Sequence, residues 1–215
     1  MSFKKYLEEK YPVAYDMQRR IGGDPLMVDM LRTNGVDHEL VKKWMRNYGL
    51  FQGIDGDSRN KIAKRFLTFA RQHSRITRIN DATVADLYRE LLSALFKVQQ
   101  RSWMSATSKL LWCLYPDDIV IYDAFVHRAL VTLQCVDPDL AGTERIGAAP
   151  KIKAPVDIDP AVAAYIRYQG LVRKLLTVHA PARNELRRQH KEKYQYDIRI
   201  VDKLLWMIGD SNRAY

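Results

Sequence analysis

The stretch Ser105-Ala-Thr-Ser-Lys109-Leu-Leu-Trp-Cys-Leu-Tyr-Pro116-Asp-Asp-Ile-Val-Ile-Tyr-Asp123 decides how this chain is read. Leu110, Leu111 and Leu114 recur at helical spacing, and Pro116 cannot continue a helix. Residues 106–115 are therefore predicted as one apolar helix with a proline stop. Ile119 to Tyr122 is the one β-like run. Four residues between a proline turn and a helix start make an extended connector rather than a sheet strand. Asp123 precedes Ala-Phe-Val and fits the N-cap of the next helix. A lysine near the start of one helix and an aspartate at the start of the next are predicted to face one shared cleft.

Working outward, nearly every periodic segment has helical spacing. Residues 59–73 carry Ile62, Ala63, Phe66, Phe69, Ala70 and His73 on one face. Residues 83–98 carry Val84, Leu87, Tyr88, Leu91, Leu92, Leu95 and Phe96, with Asp81 or Thr83 as cap. Further helices are predicted at 124–135, at 160–178 with Pro160 in the first turn, and at 197–208 with Gly209 as C-terminal stop. Residues 137–159, with Pro138, Pro150 and Pro155, form a long irregular loop. The expected fold is all-α, one helical domain over residues 1–215 in which two lobes sharing a cleft would fit.

The chain has 215 residues and a formal net charge of +10. That balance favours a polyanionic partner and says nothing of fold. No run of about 18 apolar residues is present, so a spanning helix is not expected. Cys113 and Cys135 sit in apolar periodic stretches and read as buried free thiols, with no zinc-like spacing. No metal and no cofactor are expected, and the chain reads as cytoplasmic and monomeric. Residues 58–80 hold Arg59, Lys61, Lys64, Arg65, Arg71, Arg75 and Arg78 without an acid. A second basic cluster runs through Arg183, Arg187, Arg188, Lys191 and Lys193, broken by Glu185 and Glu192. Both fit contacts to phosphates, and both fit the solvated face of a basic protein. Tyr194 and Tyr196 beside the second cluster fit either stacking on bases or stapling the last helix.

Lys109, near the first turn of its helix, would meet the positive end of the helix dipole. That placement and burial beside Leu110 and Trp112 would both favour the neutral amine, the form a nucleophile needs. An N-cap aspartate stays ionised and can stabilise positive charge developing on a sugar ring. The same spacing also suits a lysine that snorkels to solvent and an aspartate that only caps.

The segment 84–130 resembles the helix-hairpin-helix DNA glycosylases, in particular the branch with 8-oxoguanine glycosylase-like folds and its compact bacterial members, some of them tied to phage defence. The first helix would be 83–98, the hairpin Gln99 to Ser105, and the second helix 106–115. The resemblance implies that Lys109 is the catalytic lysine and Asp123 the aspartate. It implies a duplex DNA partner, base flipping and base excision, with or without strand nicking through a lysine Schiff base. Trp103, Tyr122, His127 and Trp206 become candidates for the pocket wall. Arg101, Ser105, Ser108, Lys151, Lys153, Arg183, Arg187, Arg188 and Lys191 become candidates for DNA contact. The hairpin lacks the usual glycines, and Ser105, Thr107 and Ser108 offer hydroxyls in their place. Two other classes share the basic surfaces: a non-enzymatic helical DNA-binding module and a protein that binds structured RNA.

Overall fold

A computed structural model describes residues 2–20, 24–33, 35–74, 76, 79–189 and 196–210. The protein is all-α, with no strand among the described residues. In chain order the helices are α1 (Phe3–Arg20), α2 (Asp24–Arg32), α3 (His38–Asn47), α4 (Gly56–His73), α5 (Asp81–Val98), α6 (Met104–Leu114), α7 (Ala124–Val136), α8 (Ile158–Val178), α9 (Ala180–Gln189) and α10 (Asp197–Gly209). No described helix is long and apolar enough to cross a membrane. The chain forms two compact units, one of Gly23–Ile119 with Pro150–Ala163, the other of Met1–Gly22, Val120–Ala149 and Ala164–Tyr215. They are called here the α2–α6 unit and the α1/α7/α10 unit.

In the α2–α6 unit, neighbours in sequence are neighbours in space, and α6 returns onto α2. The predicted stripes are the buried ones: Ile62, Ala63, Phe66, Phe69 and Ala70 on α4, and Val84 through Phe96 on α5. Helix starts are set by side-chain oxygens that satisfy the orphan amides of the first turn. Asp37 accepts from Leu40 N, Asp55 from Ser58 N and Asn80 from Thr83 N. The cap of α5 is thus Asn80, not Asp81 or Thr83, because the helix starts two residues before the predicted position.

In the α1/α7/α10 unit, α10 packs on α7 and α1, and α1 also packs on α9. The buried face of α1 is Phe3, Leu7, Tyr11 and Ala14. The start of α1 is tied to the end of α7, where Phe3 N donates to Asp137 Oδ2 at 2.5 Å. The first half of the irregular loop belongs to this unit and is pinned to α7. Gln134 Nε2 donates to Thr143 Oγ1 and to the Glu144 carbonyl, and its Oε1 accepts from Ile146 N.

The reading of the two cysteines needs correction. Cys113 is buried, but Cys135 is exposed. Its position on α7 falls off the Val126, Ala129, Leu130, Leu133 stripe that faces the core. Gly209 is also not a left-handed stop. It is the last residue of α10 and lies against the Phe125 backbone, where a Cβ would run into the carbonyl.

Candidate functional site

Lys109 belongs to the α2–α6 unit and Asp123 to the α1/α7/α10 unit, so each is described within its own unit. Helix α6 begins at Met104, two residues earlier than its sequence predicts. Lys109 therefore lies in the second turn, where the dipole of the helix start has largely faded. Burial, not the dipole, is what sets this lysine apart: it is 8 % exposed. It points along its own helix, with Nζ 2.5 Å from Ser105 Oγ, one turn back. The ammonium also sits 5.8 Å from the centroid of the Tyr48 ring, within cation–π range.

Tyr48 leads to residues that no motif had marked. Its hydroxyl donates to Asp24 Oδ1, and Trp44 Nε1 donates to the same oxygen at 3.4 Å. The two rings lie 4.7 Å apart. Asp24, the first residue of α2, is 1 % exposed. A buried carboxylate is costly unless it is hydrogen-bonded, and here two aromatic donors converge on Oδ1. The sequence carried one signal of this arrangement, Trp44 and Tyr48 at helical i, i+4 spacing, but nothing linked them to Asp24, which follows Gly22-Gly23.

The rest of α6 is equally internal. Ser108 is fully buried and its hydroxyl donates to the Ser105 carbonyl at 3.0 Å. Trp103 is 2 % exposed, and its indole N–H donates to the Gln99 carbonyl at 2.8 Å. The hairpin between α5 and α6 is held by Arg101, which donates to the Gln52 carbonyl and lies 4.9 Å over the Trp103 ring. Tyr88 on α5 closes the base of the hairpin by donating to the Met104 carbonyl.

Asp123 is the N-cap of α7, as its position before Ala-Phe-Val predicts. Its carboxylate accepts from Phe125 N at 2.9 Å and is half-buried. The connector before it runs extended without pairing to a strand. Side chains of α8 take the place of a partner strand. Val120 N donates to Gln169 Oε1, Tyr165 donates to the Val120 carbonyl, and Tyr168 donates to the Ile121 carbonyl. Every one of these groups is buried, so each bond removes an otherwise costly orphan.

Two of the four predicted wall residues come together beside this connector. Tyr122 and His127 have ring centroids 5.8 Å apart, and Tyr168 stacks on His127 at 6.1 Å. His127 is 4 % exposed, with Nε2 3.0 Å from the Gly147 carbonyl. Gly147 has φ +65°, a conformation that glycine adopts without strain. Burial, and then the charge of Asp123, push the Tyr122 phenol up to about 12. Burial followed by the Asp202 and Asp123 carboxylates holds Tyr168 well above its usual 10. Trp206 is apart from this group, edge-on to Phe125 and half-buried, with Lys203 over its ring. Trp103 lies in the other unit.

The predicted phosphate contacts divide sharply. Lys151 and Lys153 are exposed. Arg183 is buried, donates to the Leu176 carbonyl at 2.8 Å and pairs with Asp197 at 3.0 Å. Arg187 pairs with the same Asp197. Arg188 is exposed but pairs with Glu185 at 2.6 Å, its neighbour one turn back. Most of the cationic charge of α9 is thus spent on internal carboxylates, which the linear order of charges could not reveal because Asp197 lies beyond residues 190–195. Lys191, Lys193 and Tyr194 lie outside the described residues, as do Arg75 and Arg78. Tyr196 is 2 % exposed at the start of α10, so its ring is not on the surface where a base could stack. Among the described residues no group of three His, Cys, Asp or Glu side chains is placed to hold a metal ion. No family model, no curated protein and no solved structure matches this chain.

Proposed function

We propose that this protein is a DNA glycosylase that excises a damaged or modified base, with Lys109 as nucleophile and Asp123 as the charge-stabilising carboxylate. The observation that carries the reading is Lys109 itself. A lysine 8 % exposed on an apolar helix, bounded by a hydroxyl and an aromatic ring, is expensive to keep for stability alone. Such a group is the kind that amine catalysis uses.

The chemistry follows from those groups. Lys109 gives up a proton, and its lone pair attacks C1′ of a flipped nucleotide. The C1′–N bond breaks and the base leaves with the bonding electrons. Asp123 stabilises the positive charge that grows on the sugar before the new C–N bond is complete. Ring opening gives a protonated imine between Lys109 and C1′. Loss of a C2′ proton then expels the 3′ phosphate, which nicks the strand, and water frees the lysine.

Sodium borohydride reduces that imine to a stable amine, so wild type incubated with DNA carrying oxidised, deaminated, abasic or glucosylated-hydroxymethyl bases should become covalently attached to one of them. Lys109→Gln should give no adduct, because it has no amine to form the imine. Adduct formation by Lys109→Gln equal to wild type would sink this role for Lys109. Base release without any adduct would leave a glycosylase in which Asp123 activates water.

A second reading, a non-enzymatic helical DNA-binding module, is favoured by one observation. The α5–α6 hairpin has no glycine, and Arg101 and Trp103 are both engaged within it. It predicts duplex binding without release of any base.

A further inference from the structure

We propose that the exposed face of α4, carrying Lys64, Arg65 and Arg71, is the surface that grips the phosphodiester backbone of duplex DNA. The proposal deepens the reading above, and rests on it only for the choice of duplex DNA as the polyanion.

At about 100° per residue, Lys64, Arg65, Thr68, Arg71 and Gln72 fall within an arc of about 120° on one side of α4. All five are exposed, and the opposite side carries the buried Ile62, Phe66, Phe69 and Ala70. The cations of this helix are not equivalent. Arg59 is turned inward to the Ile54 carbonyl and lies over the Phe51 ring. Lys61 pairs with Asp57 at 2.6 Å. Lys64, Arg65 and Arg71 make no ion pair with any described residue. They span eight residues, about 10 Å of helix, with no acid between them. Beside them, Lys42 of α3 donates to Asn60 of α4 at 3.0 Å, and the next α3 positions add the exposed cations Lys43 and Arg46.

On α3, Lys42 also pairs with the exposed Glu39 at 2.7 Å, so the acid-free run of cations with no carboxylate partner is that of Lys64, Arg65 and Arg71 on α4. Such cations neutralise phosphates at low desolvation cost and release their counterions. Helix α9, the other basic element, offers no such surface. Two of its arginines are tied to Asp197 and the third to Glu185. The contrast makes α4, not α9, the element that contacts the DNA backbone, holding it without reading sequence.

The test is the salt dependence of binding to an undamaged duplex, followed by fluorescence anisotropy between about 50 and 200 mM salt. The variant Lys64→Gln, Arg65→Gln, Arg71→Gln is compared with Lys4→Gln, Lys97→Gln, Lys174→Gln, which removes the same charge from other exposed positions. All six positions are exposed, and circular dichroism verifies that both variants are folded. The slope of log K against log salt should fall by about 2.7 in the α4 variant, or about 0.9 for each phosphate that is no longer neutralised. Affinity should fall at least about tenfold, with the control variant near wild type. Equal weakening in the two variants would show that net charge alone drives binding and would overturn the assignment. An unchanged slope in the α4 variant would do the same, as would wild type that binds structured RNA or anionic vesicles but not duplex DNA. The anisotropy reads binding alone, independently of base release. A chain that binds through α4 yet excises nothing refutes the glycosylase reading and leaves the docking surface standing.

Discussion

At the scale of single residues, Asp123 has two jobs that one substitution can separate. As N-cap it accepts from Phe125 N. As a carboxylate it carries a charge that Tyr122 and Tyr168 both register. Asparagine caps a helix about as well as aspartate but has no charge. Asp123→Asn should therefore leave urea stability within about 0.5 kcal/mol of wild type. On the proposed glycosylase reading, it should also slow single-turnover base release by about 10²–10³ relative to wild type. Asp123→Ala should lose base release too, and about 1 kcal/mol of stability besides. If Asp123→Asn releases base at the wild-type rate, the residue is a cap and nothing more. Lys109 shows how far residue-level reading reaches. Its type, helix and apolar neighbours were all visible in Ser105 to Leu114. Its partner Tyr48 was not, because an aromatic ring some sixty positions away is brought to it only by α6 returning onto α2.

At the scale of elements, the crossing of α7 and α10 depends on one missing side chain. A Cβ on Gly209 would meet the Phe125 carbonyl, which is backbone and cannot rotate away. Arg128 on α7 also donates to the Gly209 carbonyl at 3.0 Å, fixing the same contact from the other side. Gly209→Ala should thus cost about 1–3 kcal/mol by overpacking. For a chain of this size that lowers the melting temperature by about 2–4 °C per kcal/mol. A melting temperature equal to wild type would mean that the two helices can part without cost. The glycine itself was visible in the sequence, but as a stop signal. Whether a helix-end glycine serves a turn or a close approach depends on what packs against it. The strongly periodic helices α4, α5, α6, α7, α8 and α10 were all legible, because a stripe of large apolar residues every three or four positions leaves few other arrangements. Helices α1, α2, α3 and α9 were not. An interior proline disfavours a helix, yet α1 runs through Pro12, with Pro12 exposed and Phe3, Leu7, Tyr11 and Ala14 buried. The roughly 3 kcal/mol that an interior proline costs is offset by that tertiary burial. In α9 charges dominate the sequence, and only the pairing with Asp197 shows why it is a helix docked on its neighbours rather than a solvated tail.

At the scale of the whole molecule, stability should depend on pH through one histidine that ties distant parts of the chain together. His179 follows α8, packs its ring 5.3 Å from that of Phe3 at the start of α1, and lies 3.2 Å from Asp139 after α7. Those residues are scattered over most of the sequence, so no local pattern announced the cluster. Two influences oppose each other at the His179 ring. Burial disfavours the charged form, while Asp139 and Asp137 favour it, and burial dominates, holding the imidazole below its usual 6.5. The unfolded chain, with an ordinary imidazole, therefore takes up the proton more readily than the folded one. The contribution of His179 is complete above about pH 6.5 and is lost as pH falls toward the lowered folded value. Urea unfolding of wild type should accordingly be weaker at about pH 5.5 than at about pH 7.5. His179→Asn, lower in stability throughout, should lose less between the two pH values, since it no longer has a ring to protonate. Carboxylates elsewhere titrate alike in both proteins and cancel from the comparison. A variant whose stability falls by as much as that of wild type over this interval would show that burial and the carboxylates cancel at His179, and one that falls by more would show that Asp139 rather than burial governs it.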